Sequence, residues 1–592
     1  MNWNQELLAS SLWLARAYGI TLLAFGLFAW AVTRYTQWGR QFVALAGPYF
    51  SPRRSLKPLG ILALILLLTL LAVRLNVLFS TWFNGMYTAL QNLDAKVFWM
   101  EIAVFSVLAS LHVVRSLFDF YIQQSFTLHW RQWQNEHLLG RWLDRQAYYR
   151  SQYLAQPADN PDQRLQQDVA SFVTTSLDLS MGMVNALVST VAYTLILWNL
   201  SGILNVLGLH IPRGMVFAVF LYVIVATGFA FRIGRPLVGL NFRNERLNAD
   251  YRYALVRLRE YAESIAFYGG EGVEGRQLRQ RFARIIDNAW QIVYRSLKFQ
   301  SFNFIVSQTA AVFPFIIQAS RFFAKQITLG DMVQTAQAFG TLHDNLSFFR
   351  NAYDNFASYR AVLNRLSGFT EAISNAVALP EPSRHERGSE LSLEGLSVRT
   401  PAGVLLLEQL TVRVDTARPL LIRGRSGAGK TTLLRAIAGL WPYSEGEIVR
   451  PEGASLFLSQ KPYLPQGTLR DALYYPAGVV AQDDAMARQV LRDVQLGHLI
   501  DRLDESTDWG HILSLGEQQR LAFGRLLLAR PQAAFLDEAT SAMDEGLEEA
   551  MYRLVRERLP QLVLVSVGHR STLRAFHPRE LQLLGDGAWQ LA

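Results

Sequence analysis

Cysteine is absent from the 592-residue chain, only 18% of its residues are charged, and acids are outnumbered by lysines and arginines, 48 against 57. Without thiols there is no disulfide scaffold, zinc ribbon, iron–sulfur centre or thiol nucleophile. So small a charged fraction beside 51% apolar residues excludes a disordered or fibrous chain. At roughly 150 residues per domain the length implies several domains. The net charge of +9 fits nucleic acid, acidic ligands or the arginine-rich cytoplasmic loops of a membrane protein. Where the arginines lie decides among these.

The first 350 residues hold nearly all the long apolar runs. These are Ala17 to Thr33, Pro58 to Phe83, Ile102 to Ile122, Met181 to Leu209 and Gly214 to Phe231, followed by the more polar Phe302 to Phe323 and Met332 to Phe349. About 20 apolar residues cross a bilayer as a helix, each rising ~1.5 Å through a core of ~30 Å. The expectation is six core spans plus an N-terminal helix. Met1 to Glu6 has no basic start and no small-residue cleavage site follows, so that first helix reads as an anchor rather than a signal peptide. Arginines crowd 34–57, 126–178 and 234–299, whereas 84–99 has only Lys96 and 324–330 only Lys325. The positive-inside rule places the arginine-rich segments, and everything after residue 350, in the cytoplasm. A nucleic-acid ATPase, the other reading of a basic chain, fails because the arginines flank membrane spans.

After Arg350 the apolar runs stop, and Leu379-Pro-Glu-Pro-Ser-Arg-His-Glu-Arg-Gly388 reads as a proline-broken linker. The division is residues 1–57, an N-terminal helix and cytoplasmic segment; 58–370, the transmembrane domain; 371–390, the linker; and 391–592, a nucleotide-binding domain. From Leu391 short β-rich runs (Leu391–Val398, Val404–Leu407, Leu410–Val414, Leu420–Arg423) precede apolar strands at Ser455–Leu458, Ala533–Leu536 and Leu562–Val567 that alternate with helical stretches. That is an α/β layout with a mostly parallel core.

Gly424-Arg425-Ser426-Gly427-Ala428-Gly429-Lys430-Thr431 follows the strand Leu420–Arg423 and opens a helical run from Thr432. This is a phosphate loop in its strand–loop–helix setting. Glycines let backbone N–H groups turn inward onto phosphate oxygens, Lys430 neutralises the β- and γ-phosphates, and Thr431 reaches Mg²⁺. The apolar strand Ala533–Leu536 delivers Asp537, a candidate metal ligand, and Glu538, a candidate base for the attacking water. A further strand, Leu562–Val567, delivers His569, able to reach the γ-phosphate and hold Glu538 in register. Leu513-Ser514-Leu515-Gly516-Glu517-Gln-Gln-Arg520 opens another helix, whose amides suit an anion; read alone, Ser514 is an ordinary helix cap.

With Gln460 after the strand Ser455–Leu458, and the run Ser541–Asp544, these motifs closely resemble the ABC-transporter ATPase family, in order and spacing. The resemblance implies that ATP is held by the phosphate loop, with Thr431, Gln460 and Asp537 around Mg²⁺, Glu538, His569 and Gln460 in catalysis, and Ser514, Leu515, Gly516, Glu517 and Asp544 reaching nucleotide in a partner. A homodimer with two composite sites is thereby implied. The chain departs from the family's LSGGQ signature at Leu515 and Glu517, and Leu396-Ser-Val-Arg-Thr-Pro401 lacks the aromatic that stacks on adenine.

Membrane half and ATPase in one chain resemble an exporter-type half-transporter. Asn160-Pro-Asp-Gln-Arg-Leu-Gln-Gln-Asp168, the segment Asp250 to Tyr268 and Gly439-Leu-Trp-Pro442 resemble the branch holding the peroxisomal fatty-acyl transporters (ABCD) and the bacterial SbmA/BacA-related proteins fused to an ATPase, of the YddA type. The first two stretches lie on cytoplasmic loops, where helices that couple membrane to ATPase are expected. His112, Arg115 and Asp119 share one helical face, as do Gln334, Gln337, Thr341 and Asp344 on the last span. Charges at membrane depth need protein partners or water. With Arg74 they form a candidate lining for a hydrated cavity and a polar or peptide-like cargo across the bacterial inner membrane. The alternatives are an Arg115–Asp119 pair that locks helices, a fatty-acyl or other amphipathic lipid cargo, and a nucleotide-gated channel or regulator.

Overall fold

The computed structural model describes residues 3–155, 157, 159–202, 204–206, 209–380, 383–477 and 484–592. The chain forms two compact units: residues 1–140 with 159–370, and residues 141–158 with 371–592.

The first unit is helical. Its elements are α1 (Trp3–Tyr35), α2 (Gln37–Phe50), α3 (Lys57–Gln91), α4 (Ala95–Leu143), α5 (Val169–Leu200), α6 (Gly214–Glu260), α7 (Ala262–Tyr268), α8 (Glu271–Phe323) and α9 (Leu329–Val377), the ends of α4 and α9 running on into the second. Local chemistry sets several ends. Pro58 fits the first turn of α3, where its missing N–H costs nothing, and Gly269 ends α7 at φ 61°, returning its N–H to the Ala266 carbonyl. Six helices, α1, α3, α4, α5, α6 and α8, are long and apolar enough to cross a bilayer among the described residues. α9 carries the seventh expected run; it has 49 residues, but its first half holds Asp331, Gln334, Gln337 and Asp344. The expected run to Leu209 is cut short: α5 ends at Leu200, before Ser201-Gly202.

Aromatic packing sets the core of this unit. Tyr49 stacks on Trp130 at 5.6 Å, Phe172 stacks on Tyr359 at 6.2 Å, and the Tyr359 hydroxyl shares a 2.6 Å hydrogen bond with Ser176. Beside that core the buried Asp168 carboxylate accepts from Arg164 at 2.7 Å and from both arms of Arg365 at 2.9 and 2.6 Å. So the Asn160–Asp168 stretch has a structural part: its last acid ties the foot of α5 to α9.

The second unit is an α/β domain built on two main sheets. Their strands are β1 (Ser383–Glu386), β2 (Leu391–Arg399), β3 (Leu405–Val414), β4 (Leu420–Gly424), β5 (Ser444–Arg450), β6 (Ser455–Leu458), β7 (Ala533–Asp537), β8 (Val563–Val567), β9 (Arg579–Gly585) and β10 (Ala588–Leu591). One sheet runs β10-β9-β4-β8-β7-β6, parallel except for β9–β10; the other runs β1-β5-β2-β3. The helices that matter here are α10 (Lys430–Ala438), α11 (Leu515–Ala529) and α12 (Glu545–Arg558). Two runs expected separately, Val404–Leu407 and Leu410–Val414, form the single strand β3, bent where Gln409 takes φ 47°. β7 and β8 are buried on both faces, as parallel strands under helices must be, which explains their unbroken apolar sequences.

Residues 144–153 belong to this unit. Tyr153 meets Trp441 edge-on at 5.1 Å and Tyr443 at 6.1 Å, while the Tyr443 hydroxyl donates to the Tyr153 carbonyl at 3.0 Å. The Gly439-Leu-Trp-Pro442 stretch is thus a docking platform for a piece of the connection between α4 and α5.

Candidate nucleotide-binding and catalytic site

Parallel strands end together, and so does the chemistry they carry. β4, β7 and β8 lie side by side with Asp537 paired to Val567, so the phosphate loop, the acidic pair and His569 emerge at one sheet edge. Gly424 is fixed by sterics, since a Cβ there would lie 2.7 Å from the Leu583 carbonyl. Gly427 and Gly429 take φ 84° and 93°, which side chains rarely adopt. The Ala428 N–H closes the turn on Arg425 at 3.2 Å, leaving Ser426 at its exposed tip. α10 begins at Lys430 with Thr431 and Thr432 in its first turn, and its free amides face the loop.

The Lys430 ammonium is buried, donating to the Gly424 carbonyl at 3.0 Å and the Arg425 carbonyl at 3.1 Å. Thr431 Oγ1 donates to Asp537 Oδ1 at 3.2 Å. Burial pushes the Asp537 carboxyl above its ordinary value; the Thr431 hydrogen bond opposes this, and the Glu538 charge adds to it. A hydroxyl and a desolvated carboxylate that close form a hard-oxygen pair suited to a divalent cation such as Mg²⁺. Glu538 stands in the left-handed region at φ 49°, its N–H bonded to Val567, and its Oε1 is 3.0 Å from His569 Nε2. A non-glycine residue held there is strained.

The signature segment explains one of its own departures. Ser514 caps α11 by accepting the Glu517 N–H at 3.3 Å, and Glu517 Oε2 accepts from the Ser514 N–H at 2.9 Å and hydroxyl at 2.8 Å. Glutamate at the third helical position completes a capping box. Burial alone would raise the Glu517 pKa, but the Ser514 bonds, then Arg520 and His498, hold it below the usual range. Gly516 is required by space, because a Cβ there would sit 2.9 Å from the Ala542 carbonyl. Leu515 is partly exposed. Asp544 caps α12 through a 2.7 Å bond from the Leu547 N–H.

Two residues of this site escaped the sequence reading. Gln519, wholly buried, donates to the Gln460 carbonyl at 2.8 Å and Ser541 Oγ at 3.1 Å, and accepts from the Ala542 N–H at 3.0 Å. The Gln460 side chain itself is at the surface. Glu548, also buried, accepts from the hydroxyls of Thr540 and Thr572, joining the turn after Glu538 to the segment after His569. Motif spacing could have signalled Gln519, as the second glutamine after Gly516, but a buried amide that serves two backbone groups and a hydroxyl has no sequence mark of its own.

The candidate cavity residues lie in the helical unit, mostly engaged. Arg74 pairs with Glu6 and donates to Ser10 on α1. Arg115 donates to the Leu68 carbonyl at 3.1 Å and to Asp119 at 3.2 Å, as the helix-locking alternative expected. Gln334 accepts from Asn84 at 2.8 Å. His112 lies edge-on to Phe79 at 5.8 Å, and Gln337 is half-buried.

Residues 45–323 match the family model described as ABC transporter transmembrane region 2, and residues 407–541 the one described as ABC transporter. The chain is 51% identical over 591 residues to a Haemophilus influenzae protein described as an uncharacterized ABC transporter ATP-binding protein, covering all of both chains. The chain belongs to the ABC transporter family. It is 32% identical to the inner membrane ABC transporter ATP-binding protein YddA of Escherichia coli, over 90% of this chain and 95% of that one. It is equally identical to ABC transporter D family member 2, chloroplastic, of Arabidopsis thaliana, over 93% and 86%. A solved bacterial Atm1-family ABC exporter with ATP bound shares the fold at a TM-score of 0.65 and 17% identity, over 89% of this chain and 94% of that one. This ABC transporter is therefore an integral membrane half-transporter of the ABCD type, an exporter-like helical domain fused to an ATPase that drives transport. As a half-transporter it needs a second half.

Proposed function

We propose that two copies of this chain form a homodimeric pump of the bacterial inner membrane that moves a hydrophilic, peptide-like solute. The hydrolytic part rests on one geometric fact, the convergence of Thr431–Asp537 and Glu538–His569 on the glycine loop. Thr431 and Asp537, with Gln460, would hold Mg²⁺, which would supply charge neutralisation at the phosphates. Lys430 and the loop amides stabilise charge on the phosphoryl oxygens as it moves. Glu538 takes the proton of the attacking water, and His569 fixes its carboxylate. Ser514 and Gly516 close over the nucleotide of the opposite copy, with Glu517 engaged in the cap. Residues 144–153, docked on Trp441 and Tyr443, and the exposed Phe267–Tyr268 tip carry the motion to the membrane helices.

The cargo reading rests on Asp344. Its side chain is 83% exposed although it lies fifteen residues, roughly 22 Å, along α9 from the helix's outer end. Its one polar contact among the described residues, His343 Nδ1 at 3.2 Å from Oδ1, leaves the rest of the carboxylate open, and at that depth an open carboxylate requires water, so α9 lines a hydrated path with Gln337 about two turns above. The location follows the arginine asymmetry of the loops and the likeness to YddA, an inner membrane protein. The test is the purified protein in liposomes, ATPase domains outward, with a labelled cationic peptide and ATP. ATP-dependent movement lost in Glu538→Gln, and reduced in Asp344→Asn with ATP hydrolysis retained, supports the reading; equal movement in Asp344→Asn refutes the cargo assignment.

A further inference from the structure

We propose that the cleft between α1 and α5 is a binding site for an anionic phospholipid of the outer leaflet, with Arg16 as its headgroup ligand. The cleft encloses about 860 Å³ and is walled by apolar side chains, among them Trp13 and Phe28 of α1 and Leu187 and Leu195 of α5. Two cations break that wall, Arg16 and Arg74.

They are not equivalent. Arg74 is neutralised by Glu6, donates to Ser10 at 3.0 Å and lies over the Trp13 ring. Arg16 is exposed, and among the described residues it has no hydrogen bond or ion pair. An arginine on a spanning helix must find water, a protein acid or a phosphate. Depth selects the phosphate. Arg34, in the last turn of α1, marks the cytoplasmic edge, and eighteen residues separate it from Arg16, roughly 27 Å of helix. That is close to the ~30 Å thickness of the hydrocarbon core, so Arg16 stands at the opposite headgroup boundary. From Arg16 to Phe28 the cleft runs twelve residues, roughly 18 Å, comparable with one leaflet's acyl chains. A positive end at headgroup level and an apolar trough of chain length match one phospholipid. The excess positive charge selects an anionic one, phosphatidylglycerol over phosphatidylcholine.

The site depends on α1 crossing the membrane, not on the cargo. Full-length protein, stripped of lipid in mild detergent, would be titrated with phosphatidylglycerol or phosphatidylcholine and bound lipid counted by native mass spectrometry. Expected are several-fold greater retention of phosphatidylglycerol, loss of that preference in Arg16→Gln, its survival in Arg16→Lys and Arg34→Gln, and weaker binding of phosphatidylglycerol in Leu187→Trp, which fills the trough. Equal retention of the two lipids by the unaltered protein, or an undiminished preference in Arg16→Gln, overturns the proposal and leaves only annular lipid. Should Arg16→Gln fail to fold, undiminished binding of phosphatidylglycerol in Leu187→Trp overturns it as well.

Discussion

Replacing Gln519 by leucine isolates the link between three motifs that do not touch the nucleotide through that residue. The change keeps the volume of the side chain and removes its bonds to the Gln460 carbonyl, Ser541 Oγ and the Ala542 N–H. A buried polar group left without a partner costs about 1–3 kcal/mol. Gln460, Ser541 and Ala542 all reach the surface, where water replaces part of what is lost. The cost is therefore nearer that of one orphaned group than of three, about 2 kcal/mol. If it falls on the arrangement that positions Gln460 and the turn after Glu538 for reaction, turnover drops ~10- to 100-fold, at 1.4 kcal/mol per factor of ten. The phosphate loop is untouched, so ATP affinity stays as it was. Steady-state ATP hydrolysis and equilibrium ATP binding on full-length protein in nanodiscs separate these effects. Glutamate at 519 keeps the acceptor for Ala542 and loses the amide donors, so it should fall between. Turnover above about half the unaltered value in Gln519→Leu, or a loss confined to ATP affinity, would refute the reasoning.

Other perturbations read other parts of the molecule. Glu538→Gln should retain ATP binding and lose turnover by at least ~100-fold, and His569→Ala should lower turnover with ATP affinity kept; full hydrolysis in Glu538→Gln removes that residue as base. Glu517→Ala breaks the α11 cap and should cost about 1 kcal/mol of stability, visible as a lower thermal midpoint, while Glu517→Gln keeps an acceptor and costs less. His577 is buried, accepting from Ser566 at 2.9 Å and donating to Leu573 at 2.8 Å; burial brings its pKa down to about 4. It stays neutral when folded while the unfolded chain takes a proton below about 6.5, so its contribution is whole above that pH and is lost as pH falls toward 4, up to ~3 kcal/mol. An unfolding midpoint in which His577→Gln shows the same fall between pH 6.5 and 4 as the unaltered protein would contradict this. Tyr153→Ala should leave ATP binding intact and lower peptide movement per ATP hydrolysed; an unchanged ratio would deny residues 144–153 a coupling role.

How far the sequence could be read depended on whether a residue's task is local. The phosphate loop was legible because its glycines answer to backbone torsions and close contacts set within eight residues, and strand β4 could be seen before it. The acidic pair and His569 were legible because each ends an apolar strand, and parallel strands end together. Ser514 and Glu517 were visible only as a motif with an odd member. The pattern Ser-x-x-Glu carries the physical reason, since the glutamate returns to the cap it follows by three.

Polar residues on membrane helices were harder, because periodicity shows that they share a face and not what that face meets. His112, Arg115 and Asp119 share one, yet Arg115 spends its bonds on Asp119 and the Leu68 carbonyl. Arg74 looks like a lining residue until α1 is placed, when Glu6 and Ser10, more than sixty residues earlier, prove to be its partners. Asp344 shows the other outcome on the same argument: its one polar contact among the described residues is with the neighbouring His343 at 3.2 Å, and the fold leaves its side chain 83% exposed. Desolvation makes these cases diverge, since an ion at membrane depth is tolerated only with a countercharge, a carbonyl or water beside it. Identifying that neighbour requires the packing of distant helices, so a hydrated path is better assigned from charges that the fold leaves exposed than from polar spacing. By that criterion the proposed path rests on Asp344, which stays 83% exposed beside His343, and the proposed lipid site on Arg16, exposed and without an ion pair among the described residues.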